Sequence, residues 1–170
     1  VDATRHLLEL GHSRISLLCR RQVRLPKPAK AVQAFLEELE GAGIDTGPFN
    51  SPDWTESGEG LSDCLDSLFK VTPPTALILD EPFLFHAGFH YLARKGLRVP
   101  KDISLICTDP DPTFAWCRPS VAHVNWDYNL VVRRFIRWVN NLASGKEDRR
   151  QTFTKAEYVR AETVGPAPSR

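Results

Sequence analysis

The 170-residue sequence contains no methionine, an absence that predicts a piece of a longer chain. Its four cysteines (Cys19, Cys64, Cys107 and Cys117) are scattered, with no C-x-x-C pair and no paired His/Cys clusters. That spacing supplies no zinc frame, and reduced thiols in a core or an interface are expected instead. Charge of one sign is lacking as well: 22 Lys+Arg against 21 Asp+Glu leave a formal +1. No global field would draw such a chain onto nucleic acid or an anionic membrane. No apolar run reaches the roughly 18–20 residues of a membrane span. The opening VDATRHLLELGH lacks the basic-then-apolar layout of an export signal. Also missing are GxSxG, a Walker loop and GxGxxG, so no familiar catalytic frame is present.

What remains is ordinary for a globular protein, 42% hydrophobic and 25% charged, and long enough to bury a core without staples. Apolar spacing predicts helices over 1–10, 29–42, 57–69 and 83–95, with Gly11, Gly43 and Gly96 as stops. Between them, Arg14–Cys19, Thr75–Leu79 and Ile103–Cys107 are short, nearly continuous apolar runs, the pattern of strands covered on both faces. Strand and helix in alternation imply βαβ crossovers and a doubly wound parallel α/β sheet. The Pro-containing stretch RRQVRLPKP after Arg14–Cys19 reads as a loop, and beyond a second loop over 110–120, Val121–Val124 reads as a short strand. Asp127–Leu142 reads as an amphipathic helix capped by Asp127, its stripe formed by Val131, Phe135, Trp138, Val139 and Leu142.

The segments HLLELGHSRISLLC, PPTALIL, GLRVPKDISLICTD and VAHVNWD occur in this order. Together they resemble the effector-binding half of lactose-repressor (LacI/GalR) family transcription regulators, over essentially the whole chain. The most specific piece is Gly96-Leu97-Arg98-Val99-Pro100-Lys101-Asp102-Ile103-Ser104. The resemblance implies a periplasmic-binding-protein-like fold, two doubly wound lobes with a ligand closed between them. On that map residues 1–122 form the C-terminal lobe, 123–155 a crossover plus a helix and strand of the N-terminal lobe, and 156–170 a returning tail. A DNA-binding head, of LacI or GntR type, and the first part of the N-terminal lobe would lie outside this sequence.

Open α/β sheets bind ligands beyond the carboxyl ends of their strands. That rim carries Asp80, Glu81 and Asp109, and carboxylates there can accept hydrogen bonds from sugar hydroxyls. By the resemblance Asp109 is a ligand contact, with a helix cap or local turn as the alternative. Trp54 falls where some members stack a ring on sugar, and a lobe-covering tryptophan is the other reading. Trp126 and Tyr128 flank the crossover, for ligand contact or for hinge packing. The sequence departs from the family at Ala31, which stands where an effector-binding arginine is usual; the neighbouring Lys30 is the candidate ligand contact there, without the arginine's planar fork. The effector expected is therefore a sugar or an unusual derivative, unless the pocket has lost its ligand.

The aromatic-rich Phe83–Tyr91 segment and the loop Phe114–Cys117 are assigned by the resemblance to a homodimer interface, through Phe83, Phe85, His86, Phe114, Trp116 and Cys117. His86 and His90 have i,i+4 spacing but neither a third ligand nor an HExxH glutamate. No metal, no cofactor and no catalytic residue is expected. The basic run through Arg133, Arg134 and Arg137 reads as a solvated face. Three functions compete: a cytoplasmic regulator's effector-sensing module, a transport solute-binding protein, and an enzyme. The first is favoured, with DNA contacted only through the missing head.

Overall fold

The computed structural model describes residues 1–169. Its elements run α1 (Asp2–Glu9), β1 (Ile15–Leu18), α2 (Arg21–Arg24), α3 (Lys30–Gly41), α4 (Gly58–Val71), β2 (Ala76–Leu79), α5 (Pro82–Arg94), β3 (Ser104–Cys107), a 3-10 turn (Pro112–Trp116), β4 (Ala122–Trp126), α6 (Tyr128–Ala143) and β5 (Ala156–Val159). The five strands form one sheet in the order β1-β2-β3-β4-β5. The first four are parallel and β5 joins antiparallel, with His123 opposite Val159 and Trp126 opposite Ala156.

Every residue of β1, β2 and β3 is buried, and the period-two alternation of a strand divides them between two cores. Leu77, Leu79 and Leu105 face one way and pack with Leu65 of α4 and Leu84 and Leu92 of α5. Ala76, Ile78 and Ile106 face the other way, against Leu7 of α1 and Val32, Phe35 and Leu39 of α3. Gly88 lets α5 approach the sheet, since a Cβ there would sit 3.3 Å from a Leu79 methyl. Gly96 closes α5 in a left-handed conformation (φ 73°) that a side chain resists.

The amino edge of the sheet is pinned by the returning tail. Buried Thr163 fits between β3 and β4: its hydroxyl donates to the Leu105 carbonyl at 2.8 Å and accepts from the Ala122 amide at 2.9 Å. His12, also buried, reaches the Gly165 carbonyl through Nε2 and the Thr75 hydroxyl through Nδ1, both at 2.9 Å. A carbonyl only accepts, so Nε2 carries the proton and Nδ1 accepts from Thr75. Burial lowers the His12 pKa below the usual histidine range.

Two expectations are corrected here. The Pro-containing stretch after β1 is not all loop, because Arg21–Arg24 makes one helical turn held by buried Arg24, which donates to the Cys19 and Trp54 carbonyls. The basic face of α6 is only partly solvated: Arg134 is largely covered and binds Asp148 through two nitrogens, at 2.7 and 3.0 Å. The predicted cap is in place, the Asp127 carboxylate accepting from the Asn129 amide at 2.9 Å. Yet α6 has no buried residue, and Val131, Phe135 and Trp138 stand exposed. Among the described residues no helix is long and apolar enough to cross a membrane.

Candidate functional site

β1, β2 and β3 end side by side, and the chain leaves each carboxyl end into a turn that carries polar side chains. The result is a hollow of about 470 Å³, with Arg20 after β1, Asp80 and Glu81 after β2, and Thr108 and Asp109 after β3. Its apolar wall is formed by Ala31, Ala34 and Phe35 of α3, with Val23 and Val124. Asp80 and Glu81 both line it although they are adjacent, because strand alternation ends at Leu79.

Hydrogen bonds fix this rim. The Arg20 amide donates to one Asp80 oxygen at 2.8 Å, and the Thr108 hydroxyl donates to the Asp80 carbonyl at 3.1 Å. The second Asp80 oxygen is buried without a partner. Burial, reinforced by the nearby Glu81 and Asp109 charges, pushes the Asp80 carboxyl up to about 6. The Trp126 indole donates to Asp109 at 3.1 Å, joining the rim to β4. Arg20 forms an ion pair with Glu81 at 2.5 Å, while its Nε is buried and unpartnered. With its amide turned, Gln22 accepts from the same guanidinium at 3.1 and 3.3 Å. Cys19 lines the floor of the hollow, its thiol pushed up to about 11 by burial and therefore protonated at neutral pH.

A second hollow of about 260 Å³ lies beside the first and shares Arg20 with it; Trp54, Glu56 and Phe83 are among its walls. Trp54 is 9% exposed and its indole donates to the Cys19 carbonyl at 3.0 Å. It covers one of the two cores and at the same time forms part of a cavity wall.

The structure thus gathers Asp80, Glu81 and Asp109 in one hollow, ties Trp126 to Asp109, and places Trp54 in the adjoining one. Two expected contacts lie elsewhere. Lys30 is exposed on the first turn of α3 and lines neither hollow, because Ala31 and Ala34 occupy the face turned inward. Tyr128 is exposed just beyond the Asp127 cap and lines neither. Among the six residues assigned to an interface, Phe85 (2% exposed) and Phe114 (6%) are corrected to core positions; their rings meet edge to face at 5.4 Å. Phe83 (57%) and Trp116 (88%) are exposed. Arg20, which lines both hollows, escaped the sequence reading because it lay in a segment taken as loop; its place directly after an apolar strand was the available signal. Among the described residues no group of three or more His, Cys, Asp or Glu could hold a metal ion.

A model of the periplasmic binding protein-like domain matches residues 4–164. The transcriptional repressor PurR of Haemophilus influenzae (strain PittEE) is 30% identical over 162 residues, covering 92% of this chain and 47% of that protein. The chain spans about half the length of the curated relatives it matches. A LacI family regulator from Enterococcus faecium, solved with bound ribose, superposes with a TM-score of 0.76 at 18% identity, over 97% of this chain and 61% of that one. The regulator CelR, in complex with cellobiose, gives 0.76 at 20% identity, over 94% and 49%. The chain belongs to the periplasmic binding protein-like domain family.

Proposed function

We propose that this domain senses a neutral, hydroxyl-rich small molecule, a sugar or sugar derivative, on behalf of a DNA-binding transcription regulator. The observation that carries the reading is the rim of the larger hollow. Three carboxylates and the Thr108 hydroxyl face an apolar wall of Ala31, Ala34 and Phe35. Carboxylates accept from hydroxyls while the wall receives the CH face of a ring. The Arg20 guanidinium at this rim is already paired with Glu81, so an anionic ligand would meet a net acidic edge. The solved neighbours bound to ribose and cellobiose support a sugar, and relatives named as transcriptional repressors favour a regulator over a transport protein or an enzyme.

In this reading residues 1–122 are one lobe, 123–155 cross into a second, and 156–170 return to the first. The unburied apolar stripe of α6 supports that division, since such a stripe requires a partner surface. Ligand closes the lobes, closure alters a homodimer built on the exposed Phe83 and Trp116 together with His86 and Cys117, and heads outside this chain move on DNA. The setting is the cytoplasm, where the DNA is.

The test is a thermal-shift series on the full-length native protein with neutral mono- and disaccharides against sugar phosphates and sugar acids. Ligand binding to the folded state raises stability by RT ln(1 + [L]/Kd), so millimolar binders become visible at high concentration. Stabilisation by neutral sugars is expected. Stabilisation by the anions alone, or by nothing, would overturn the reading.

A further inference from the structure

The first helix and the last strand, at opposite ends of the sequence, are fastened together at two points. His6 on α1 and Tyr158 on β5 are both half-buried, with Nδ1 3.0 Å from the hydroxyl and the tilted rings 5.6 Å apart. Nearly a turn further along α1, Glu9 pairs with Arg160 at 3.5 Å, both side chains being largely exposed. Burial pushes the Tyr158 hydroxyl up to about 12, so the phenol keeps its proton and donates, and the neutral imidazole accepts. Both sides of this junction continue into the larger hollow. Val1, Ala3 and Thr4 of α1 line it, and Tyr158 stands opposite Val124, another of its walls, in the β4–β5 pair. Two residues beyond Val124, Trp126 donates to Asp109 at the rim.

We propose that His6 and Tyr158 form a proton-sensitive clasp, which holds β5 to α1 while His6 is neutral and releases it when His6 takes a proton. Protonation removes the acceptor that Tyr158 uses and sets an imidazolium near the Arg160 guanidinium. Burial first, and then the Arg160 charge, lower the His6 pKa below the ordinary 6.5, with Glu9 opposing. A group that binds its proton less well closed than open favours the open arrangement once protonated, so the clasp is complete above 6.5 and is lost as pH falls through the lower folded value. The other charges of α1 are Asp2 and Arg5, and Arg5 is bonded through two nitrogens to Glu38 of the adjoining α3. Glu157 and His123 fall on the opposite face of the β4–β5 pair by strand alternation, and His12, just beyond α1, feels the His6 charge. The inference goes beyond the sugar-sensing role. In the proposed division β5 brings the chain back from the second lobe, so the clasp makes the coupling of that lobe to the hollow depend on pH.

Amide hydrogen exchange of the full-length native protein at pH 7.5 and pH 5.5, corrected for intrinsic exchange rates, tests it, with β2 as the internal reference. Protection of the β5 amides is expected to fall tenfold or more between the two pH values while that of β2 holds. His6→Gln keeps a side-chain acceptor for Tyr158 but does not titrate, and should hold β5 protection nearly equal at both. Tyr158→Phe should bring protection at pH 7.5 down to the acid level of wild type. The fall should persist in His12→Gln, which removes the other histidine that bonds the returning chain. Wild-type protection independent of pH, or a fall that persists in His6→Gln, overturns the proposal. So does a fall abolished by His12→Gln, or a loss shared equally by β2, which is global unfolding. No ligand enters this experiment, so its outcome is separate from the thermal-shift series that decides the sugar-sensing role.

Discussion

Asp80 is a stability liability that the ligand rim retains, and Asp80→Asn makes this measurable. In the folded chain its carboxyl is held at about 6 against an ordinary 3.8, first by burial and then by the neighbouring Glu81 and Asp109 charges. One pKa unit is about 1.4 kcal/mol, so the full shift corresponds to about 3 kcal/mol between the two protonation states. Asp80 is partly exposed, and solvent screening reduces the realised value to about 1–2 kcal/mol. The sign follows from linkage: a raised acid pKa means the folded state binds more protons. The stabilising contribution of neutral Asp80 is complete below about 3.8 and is lost as pH rises through about 6. Asparagine keeps the oxygen that accepts from the Arg20 amide and replaces the orphaned oxygen with a donor facing two carboxylates. Denaturant melts of wild type and variant at pH 4 and pH 8 should show little difference at pH 4. At pH 8 the variant should gain about 1–2 kcal/mol, roughly 3–6 °C in Tm for a chain of this size. Sugar affinity should fall in the same variant, the exchange of stability for function common at binding sites. A variant less stable than wild type at pH 8, or a gain equal at both pH values, would refute the reasoning.

Burial depresses the His12 pKa, so its contribution is complete above the ordinary 6.5 and is lost as pH falls through the lower folded value. Acid melts should therefore lose stability just below pH 6.5 in wild type and lose less in His12→Gln. Thr163→Val keeps the shape of the side chain but orphans the Leu105 carbonyl and the Ala122 amide, and should cost about 1–3 kcal/mol by urea denaturation. Ser57 caps α4 by accepting from the Gly60 amide at 2.9 Å, and Ser57→Ala should cost about 1 kcal/mol in the same assay. Gly60→Ala should cost more than Ser57→Ala, because a Cβ there would lie 2.2 Å from the Thr55 carbonyl oxygen.

The sheet was legible because three of its strands are buried on both faces: ISLL, ALIL and SLIC carry no solvent-facing residue to blur the pattern. The helices were legible from their apolar spacing and their glycine stops, and Asp127 from the cap chemistry of its position. The rim carboxylates followed from a topological rule, that loops at strand carboxyl ends converge. The same rule would have reached Arg20, but two arginines beside a proline-rich stretch read as loop, and the turn of helix that seats them depends on tertiary bonds from Arg24. Phe85 and Phe114 were assigned to an interface because neither the resemblance nor the count of aromatics shows which face of α5, or which side of the 3-10 turn, a ring occupies. Lys30 lies outside both hollows because adjacent residues on a helix point about 100° apart, so closeness to Ala31 in sequence is not closeness to its cavity.

The two edges of the sheet divide the work between them. At the amino edge the groups that hold the tail are partnered: His12 uses both nitrogens, Thr163 both roles of its hydroxyl, and Ser104 bonds Gly165 and lies 3.2 Å from His12, while the Ser16 hydroxyl within β1 is buried without a partner. That edge holds the tail and fixes the spacing of β3 and β4. At the carboxyl edge Arg20 and Asp80 each retain an unsatisfied buried atom, and Asp80 is ionised at neutral pH at the expense of stability. A sequence selected for stability alone would correct this with one base change at Asp80. Retaining unmet hydrogen-bonding capacity in two charged side chains at the carboxyl edge is what a binding site requires, because a ligand gains affinity from groups that the fold itself leaves unpaired.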